Sequence, residues 1–130
     1  MKAAPWCWVD GQALRLLHDE SLALHGGVSG VRDEGLLESA LSRPLNLVAY
    51  GDPDVAEIAT AYAFGLARNH PFVDGNRRAA FLATGLLLAL NGYRLVADQA
   101  DATVAMLALA AGELDEASFA AWLRTHLKAR

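Results

Sequence analysis

Apolar residues recur along this chain at three- and four-residue intervals, broken by Gly and Pro punctuation and by Asp residues placed to cap helices. Asp10 opens a first helix whose Leu14, Leu17 and Leu24 share a face until Gly26-Gly27 stops it. Asp33 opens a second, with Leu36, Leu37, Ala40 and Leu41, which Pro44 is expected to close because the residue before a proline avoids the helical region. Asp52-Pro53 reads as a cap followed by proline at the first helical position, and Val55, Ile58, Ala59, Tyr62 and Leu66 form the buried stripe of a third helix ending near Arg68. A fourth begins about Asn76, is apolar nearly all round (Ala79 to Leu90) and stops at Asn91-Gly92; it reads as the central core helix. Asp98 or Asp101 starts a fifth that ends at Gly112, and Asp115 a sixth in which Phe119, Trp122, Leu123 and Leu127 face inward. Trp6 to Val9 adds a short extended piece, its tryptophans folding back onto the core. No strand pattern alternates with the helices, so the expected fold is all-α, a compact bundle of about six helices in a single domain over residues 1–130.

Composition narrows the function classes. Hydrophobic residues make up 54% and charged ones 20%, which suits a globular chain and not a disordered one. Eleven Lys and Arg against fifteen Asp and Glu give a net charge of -4, without the broad basic footprint of a protein that binds nucleic acid directly. The single cysteine, Cys7, has no partner in the chain and suits a reducing, cytoplasmic compartment. The N-terminus lacks the apolar run of a signal peptide, and Ala79 to Leu90 is too short to cross a bilayer, so no membrane is expected. His18 and His25, without a third clustered ligand, make a poor zinc site.

Reactive groups concentrate in one connection between two apolar helices: His70, Asp74, Gly75, Asn76, Arg77 and Arg78. Gly75 lets the backbone turn closely, and the helix that follows presents unpaired amides and the positive end of its dipole, a place that suits phosphate. Arg77 and Arg78 add guanidinium groups that grip phosphate oxygens in a fork. A carboxylate, Asp74, makes sense in such a site as a ligand to Mg²⁺, which takes one or two protein carboxylates beside substrate phosphates. His70 supplies a base suited to taking a proton from a hydroxyl near neutral pH. Taken singly, each has a plainer reading: a helix-end histidine, a turn or capping aspartate, solvated arginines. Their coincidence within nine residues favours a phosphoryl- or nucleotidyl-transfer site. Arg68, two residues upstream, is either a further phosphate contact or a cation placed against the C-terminus of its helix.

The run His70-x-Phe72-x-Asp74-Gly75-Asn76-x-Arg78 resembles the signature loop of the Fic/Doc family, and His25-Gly-Gly27, Val31 to Pro44 and Tyr62 to Arg68 resemble the first half of its death-on-curing branch. The resemblance spans about His25 to Gly92 and implies the Fic fold. Adenylyl-transferring members typically carry glycine after the loop asparagine and a second arginine three positions after the first; this chain has Arg77 and Phe81 there. Death-on-curing toxins usually carry lysine at the first of these positions, and Arg77 keeps its charge. The resemblance therefore implies a toxin kinase that uses ATP with Mg²⁺ to phosphorylate a Thr or Ser hydroxyl of the translation machinery, with elongation factor Tu as the family's target. It implies that His70 activates the hydroxyl, that Asp74 holds Mg²⁺ or positions substrate, and that Gly75, Asn76, Arg77 and Arg78, with Arg68 as a further candidate, hold the phosphates. It also implies a small antitoxin whose tail binds as a helix in a groove. AMP transfer and a silent nucleotide-binding helical module are the alternatives.

Overall fold

The computed structural model describes residues 6–130, and six helices carry the fold: α1 (Gly11–His25), α2 (Glu34–Tyr50), α3 (Val55–Asn69), α4 (Asn76–Leu90), α5 (Gln99–Ala111) and α6 (Glu116–Thr125). A pair of three-residue antiparallel strands, β1 (Tyr93–Leu95) and β2 (Leu127–Ala129), ties the end of α4 to the C-terminus. The all-α expectation holds with this small addition, since three-residue strands are too short for an alternating pattern to stand out. Among the described residues no helix is long and apolar enough to cross a membrane.

Aspartates start most of the helices as the sequence indicates: Asp10, Asp33 and Asp115 each accept the amide three residues on, and Asp98 stands at the N-cap of α5. The third helix is the exception. It is capped by Asp54 and not by Asp52, because Asp54 and Glu57 form a reciprocal capping box that satisfies two orphan amide groups at once.

α4 lies in the core as expected, and α3 is more enclosed still. It packs against α2, α4, α5 and α6, and its Ala56, Ala59, Ala61, Ala63 and Ala67 are as buried as Ile58, Tyr62 and Leu66. Small side chains let neighbours approach from every direction, whereas α4 carries the larger leucines of the Ala79 to Leu90 run. That helix instead leaves Phe81 and Leu90 substantially exposed. One continuous core draws Leu14 from α1, Leu37 from α2, Leu66 from α3, Leu87 from α4, Leu109 from α5 and Leu123 from α6.

Two further expectations need correction. Pro44 does not end α2, which runs on to Tyr50 with the proline buried inside it. Arg43, in helical conformation before the proline, makes a bidentate ion pair with Glu116 and lies 4.5 Å from the centre of the Phe64 ring, tertiary contacts that favour the helix against the local preference. The carbonyl of Ala40, whose helical donor the proline removes, lies at the α2–α3 contact: a Cβ on Gly65 would come within 3.4 Å of that oxygen and 3.1 Å of the Ala40 Cα. The buried face of α1 is Leu14, His18 and Leu22, whereas Leu17 is partly exposed and Leu24 lies in solvent.

The described segment before α1, Trp6 to Asp10, joins no ladder. Asn91 stands in for a strand, accepting from the Cys7 amide (2.9 Å) and donating to the Cys7 carbonyl (2.9 Å). The buried hydroxyl of Tyr62 accepts from the Val9 amide, and Trp6 and Trp8 pack against the core.

Candidate active site

The loop between α3 and α4 starts at a conformation that few side chains adopt. His70, at the C-cap of α3, has φ 52° and ψ 54°, the one non-glycine residue with positive φ among those described. Its ring is exposed, while the next two residues, Pro71 and Phe72, are buried. The chain thus turns abruptly, presenting the imidazole outward and driving Phe72 into the core.

From Phe72 onward the loop is held by its own polar groups. Asn76 closes it on itself, accepting from the Phe72 amide (2.9 Å) and donating to the Phe72 carbonyl (3.1 Å). The side chain of Asn76 is therefore committed to loop shape, which leaves its backbone amide as the group this residue can offer to the cleft. Gly75 (φ 70°, ψ 32°) is the N-cap of α4 and makes no side-chain cap, so the amides of Asn76, Arg77 and Arg78 have no intrahelical acceptor and point out of the helix start. Positive φ alone favours glycine there, and a Cβ would also lie 2.9 Å from His18 Cε1.

Asp74 serves the loop as well. Its Oδ1 accepts from the Gly75 amide (2.8 Å) and its Oδ2 from the Val28 amide (3.1 Å), tying the loop to the segment between α1 and α2. The same segment is reached by Arg78, whose Nη1 donates to the Gly26 carbonyl (3.2 Å), and by backbone pairing of Val31 with Phe72 and of the Val73 amide with the Gly30 carbonyl. Arg77 is exposed and makes no ion pair among the described residues.

His18 was set aside in the sequence as half of a poor zinc site, and among the described residues no three His, Cys, Asp or Glu side chains cluster to hold a metal. The structure gives it a different place: fully buried, with its Nε2 2.9 Å from the Asp74 carbonyl and its ring 4.5 Å from that of Phe72. A carbonyl only accepts, so Nε2 carries a proton, and the buried Nδ1 has no hydrogen-bond partner among the described residues. The sequence signal was available in outline, since His18 falls four residues after Leu14 and four before Leu22 on one helix face.

His70, Asp74, Gly75, Asn76, Arg77 and Arg78 all border one open cleft of about 1330 Å³. Its opposite wall is α5, which contributes Gln99, Thr103, Val104 and Leu107, with Glu113 just beyond the helix. Val73, Phe81, Val104 and Leu107 bring substantially exposed apolar surface to the cleft. Arg68 is not among the lining residues. It lies 5.3 Å from the Phe64 ring and against Gly112, so the cleft gathers six of the seven residues singled out in the sequence.

An exposed imidazole, two arginines and a row of free amides around a glycine bend form a place where a phosphate chain can lie with a base at one end. Relatives point the same way. Residues 8–88 match the family described as Fic/DOC family. The chain is 32% identical over 117 residues to a protein named Protein kinase doc of Escherichia phage P1, covering 89% of this chain and 92% of that one. It is 45% identical over 75 residues to a protein named Toxin Doc of Mycolicibacterium smegmatis, covering 56% of this chain and 58% of that protein. With its loop geometry and a match that takes in α1 to α3, the loop and most of α4, this chain belongs to the Fic/DOC family.

Proposed function

We propose that this protein is a toxin kinase of the death-on-curing type, which transfers the γ-phosphoryl group of ATP to a Thr or Ser hydroxyl of a translation factor resembling elongation factor Tu. The similarity to the phage P1 protein kinase over nine-tenths of its length supports this reading, and the observation that carries it is the juxtaposition of exposed His70 with the uncapped start of α4 in one cleft. The nucleotide's phosphates lie over the amides of Asn76, Arg77 and Arg78, with the Arg77 guanidinium forking onto their oxygens. His70 takes the proton of the acceptor hydroxyl as its oxygen bonds to the γ-phosphorus; the bond from that phosphorus to the bridging oxygen breaks, and ADP leaves with the electron pair. Arg68, outside the cleft lining, is a further candidate to add charge near the phosphates.

Asp74 fits the one carboxylate that a phosphate-bound Mg²⁺ requires. It is exposed, and each of its oxygens accepts a single backbone N–H, leaving a lone pair on both. When bound, the ion neutralises charge on the phosphates. Apolar residues of the cleft, Phe81, Val104 and Leu107 among them, suit an antitoxin helix that would occupy the cleft and shut out the acceptor protein, keeping the toxin silent in the cytoplasm.

ATP labelled on either the γ or the α phosphate tests the reaction. Label moving to protein from the γ position alone is expected. Transfer from the α position would make the protein an AMP transferase, and transfer from neither a silent nucleotide-binding module.

A further inference from the structure

We infer that Arg32, which lies outside the signature loop, is a positioning residue that holds His70 in its reactive conformation; this rests on the reading of His70 as the base. Arg32 stands between α1 and α2, where its Nε donates to the carbonyl of His70 (2.8 Å) and its Nη2 to the carbonyl of Asn69 (3.1 Å). Its backbone amide donates to the carbonyl of the next loop residue, Pro71 (2.7 Å). Three consecutive carbonyls, those of Asn69, His70 and Pro71, are thus taken up by one residue thirty-seven to thirty-nine positions away in sequence.

The geometry answers a specific need. The last carbonyls of α3 have no intrahelical donor, and they carry the negative end of the helix dipole, which a guanidinium complements. His70 sits in left-handed backbone conformation, which costs a non-glycine residue energy and persists only when its surroundings hold it. Among the described residues Arg32 forms no ion pair, so its two forked hydrogen bonds are directed entirely at this turn. Since His70 is exposed and not enclosed by the core, the backbone beneath it sets where its ring can reach. Releasing the His70 carbonyl lets the peptide rotate and the imidazole leave the path of the acceptor hydroxyl. The phosphate cradle at Gly75 to Arg78 is fixed separately, by Asp74, Asn76 and Arg78, so it is insulated from the change.

Arg32→Ala, Arg32→Lys and His70→Ala, with the double variant Arg32→Ala/His70→Ala, are the test, read by transfer of γ-phosphate from ATP. Arg32→Ala should lower kcat by roughly 10- to 100-fold, the scale of a reacting group displaced by about an ångström, and leave the KM for ATP unchanged. Arg32→Lys, with one ammonium in place of a planar fork, should recover only part of the loss. In the His70→Ala background the Arg32→Ala change should cost nothing further. Equal fractional losses in both backgrounds, or a rise in KM with kcat preserved, would overturn the inference while leaving the kinase reading in place. If His70→Ala itself has no effect on transfer, the reading of His70 as base fails instead. A readout free of activity is the ring resonance of His70 in a spectrum of ¹³C-histidine-labelled protein: Arg32→Ala should shift it and leave that of the distant His126 in place. An unmoved His70 signal would sink the proposal even were the protein inactive.

Discussion

His18 Nε2 and the carbonyl oxygen of Asp74 stand 2.9 Å apart, joining the middle of α1 to the bend from which α4 begins. The ring also packs 4.5 Å from Phe72, so one buried side chain fixes both the apolar anchor of the loop and the peptide that orients Gly75. Replacing it by leucine leaves the Asp74 carbonyl without its donor. His18→Leu should therefore lower stability by about 1–3 kcal/mol and weaken nucleotide binding, whereas His18→Gln, which offers an amide N–H in nearly the same place, should lose less of both. Thermal unfolding and ATP titration of the two variants check this; equal nucleotide affinity in His18→Leu and wild type would dissociate His18 from the phosphate cradle.

A second expectation concerns how tightly α2 and α3 approach. A methyl group at Gly65 would lie 3.1 Å from both Cα and Cβ of Ala40, with no flexible side-chain end to yield. Gly65→Ala should cost about 1–3 kcal/mol in chemical denaturation, as overpacking of a filled core does. Ala40→Gly should restore part of it by removing the opposing Cβ. A neutral Gly65→Ala would mean that the helices slide apart more freely than their buried surfaces suggest.

Asp54 makes the stability of α3 depend on pH. Desolvation raises its pKa, but the Arg124 guanidinium at 2.7 Å and the Glu57 amide outweigh that and hold the carboxyl below its usual value. A carboxyl whose pKa is lower folded than unfolded binds protons more readily when unfolded, so its contribution is complete above the unfolded value near 4 and is lost as pH falls through the folded one. Melting temperature should accordingly drop below about pH 4, and by less in Asp54→Asn, which keeps an acceptor for the cap but no charge. Parallel pH profiles for the two proteins would show that acid destabilisation arises elsewhere.

What the sequence disclosed, and what it hid, follows from the range of the interactions concerned. The gathering of His70, Asp74, Gly75 and the arginines on one cleft was legible because they fall within nine residues, and most helix starts because a cap acts within three residues. Helix α2 was misread at Pro44 because the contacts that keep it helical come from Glu116 and Phe64, far along the chain. How fully α3 is enclosed was hidden because its alanines bury on every side, beyond the single stripe read from its larger residues. Arg32 and His18 looked ordinary for the same reason: their partners are backbone carbonyls of Asn69, His70 and Asp74, and a carbonyl leaves no mark on sequence.

Arg77 and Arg78 are adjacent in sequence, yet the structure separates their tasks. Arg78 is half-buried and donates to the Gly26 carbonyl, so part of its hydrogen-bonding capacity goes to holding the α1–α2 segment against the start of α4. Arg77 is exposed on the cleft with its guanidinium uncommitted among the described residues, available for phosphate. A charge-assisted hydrogen bond is worth about 1.5–3 kcal/mol, so Arg77→Ala should raise the KM for ATP by roughly 10- to 100-fold with the melting temperature unchanged. Arg77→Lys should sit between, keeping the charge without the fork. Arg78→Ala should do both kinds of damage, loosening the Gly26 tie as well as the phosphate grip, and so lower the melting temperature where Arg77→Ala does not. The two measurements together separate a residue that only binds nucleotide from one that also builds the site. Should Arg78→Ala leave the melting temperature untouched while Arg77→Ala lowers it, the division of labour drawn from their contacts is reversed.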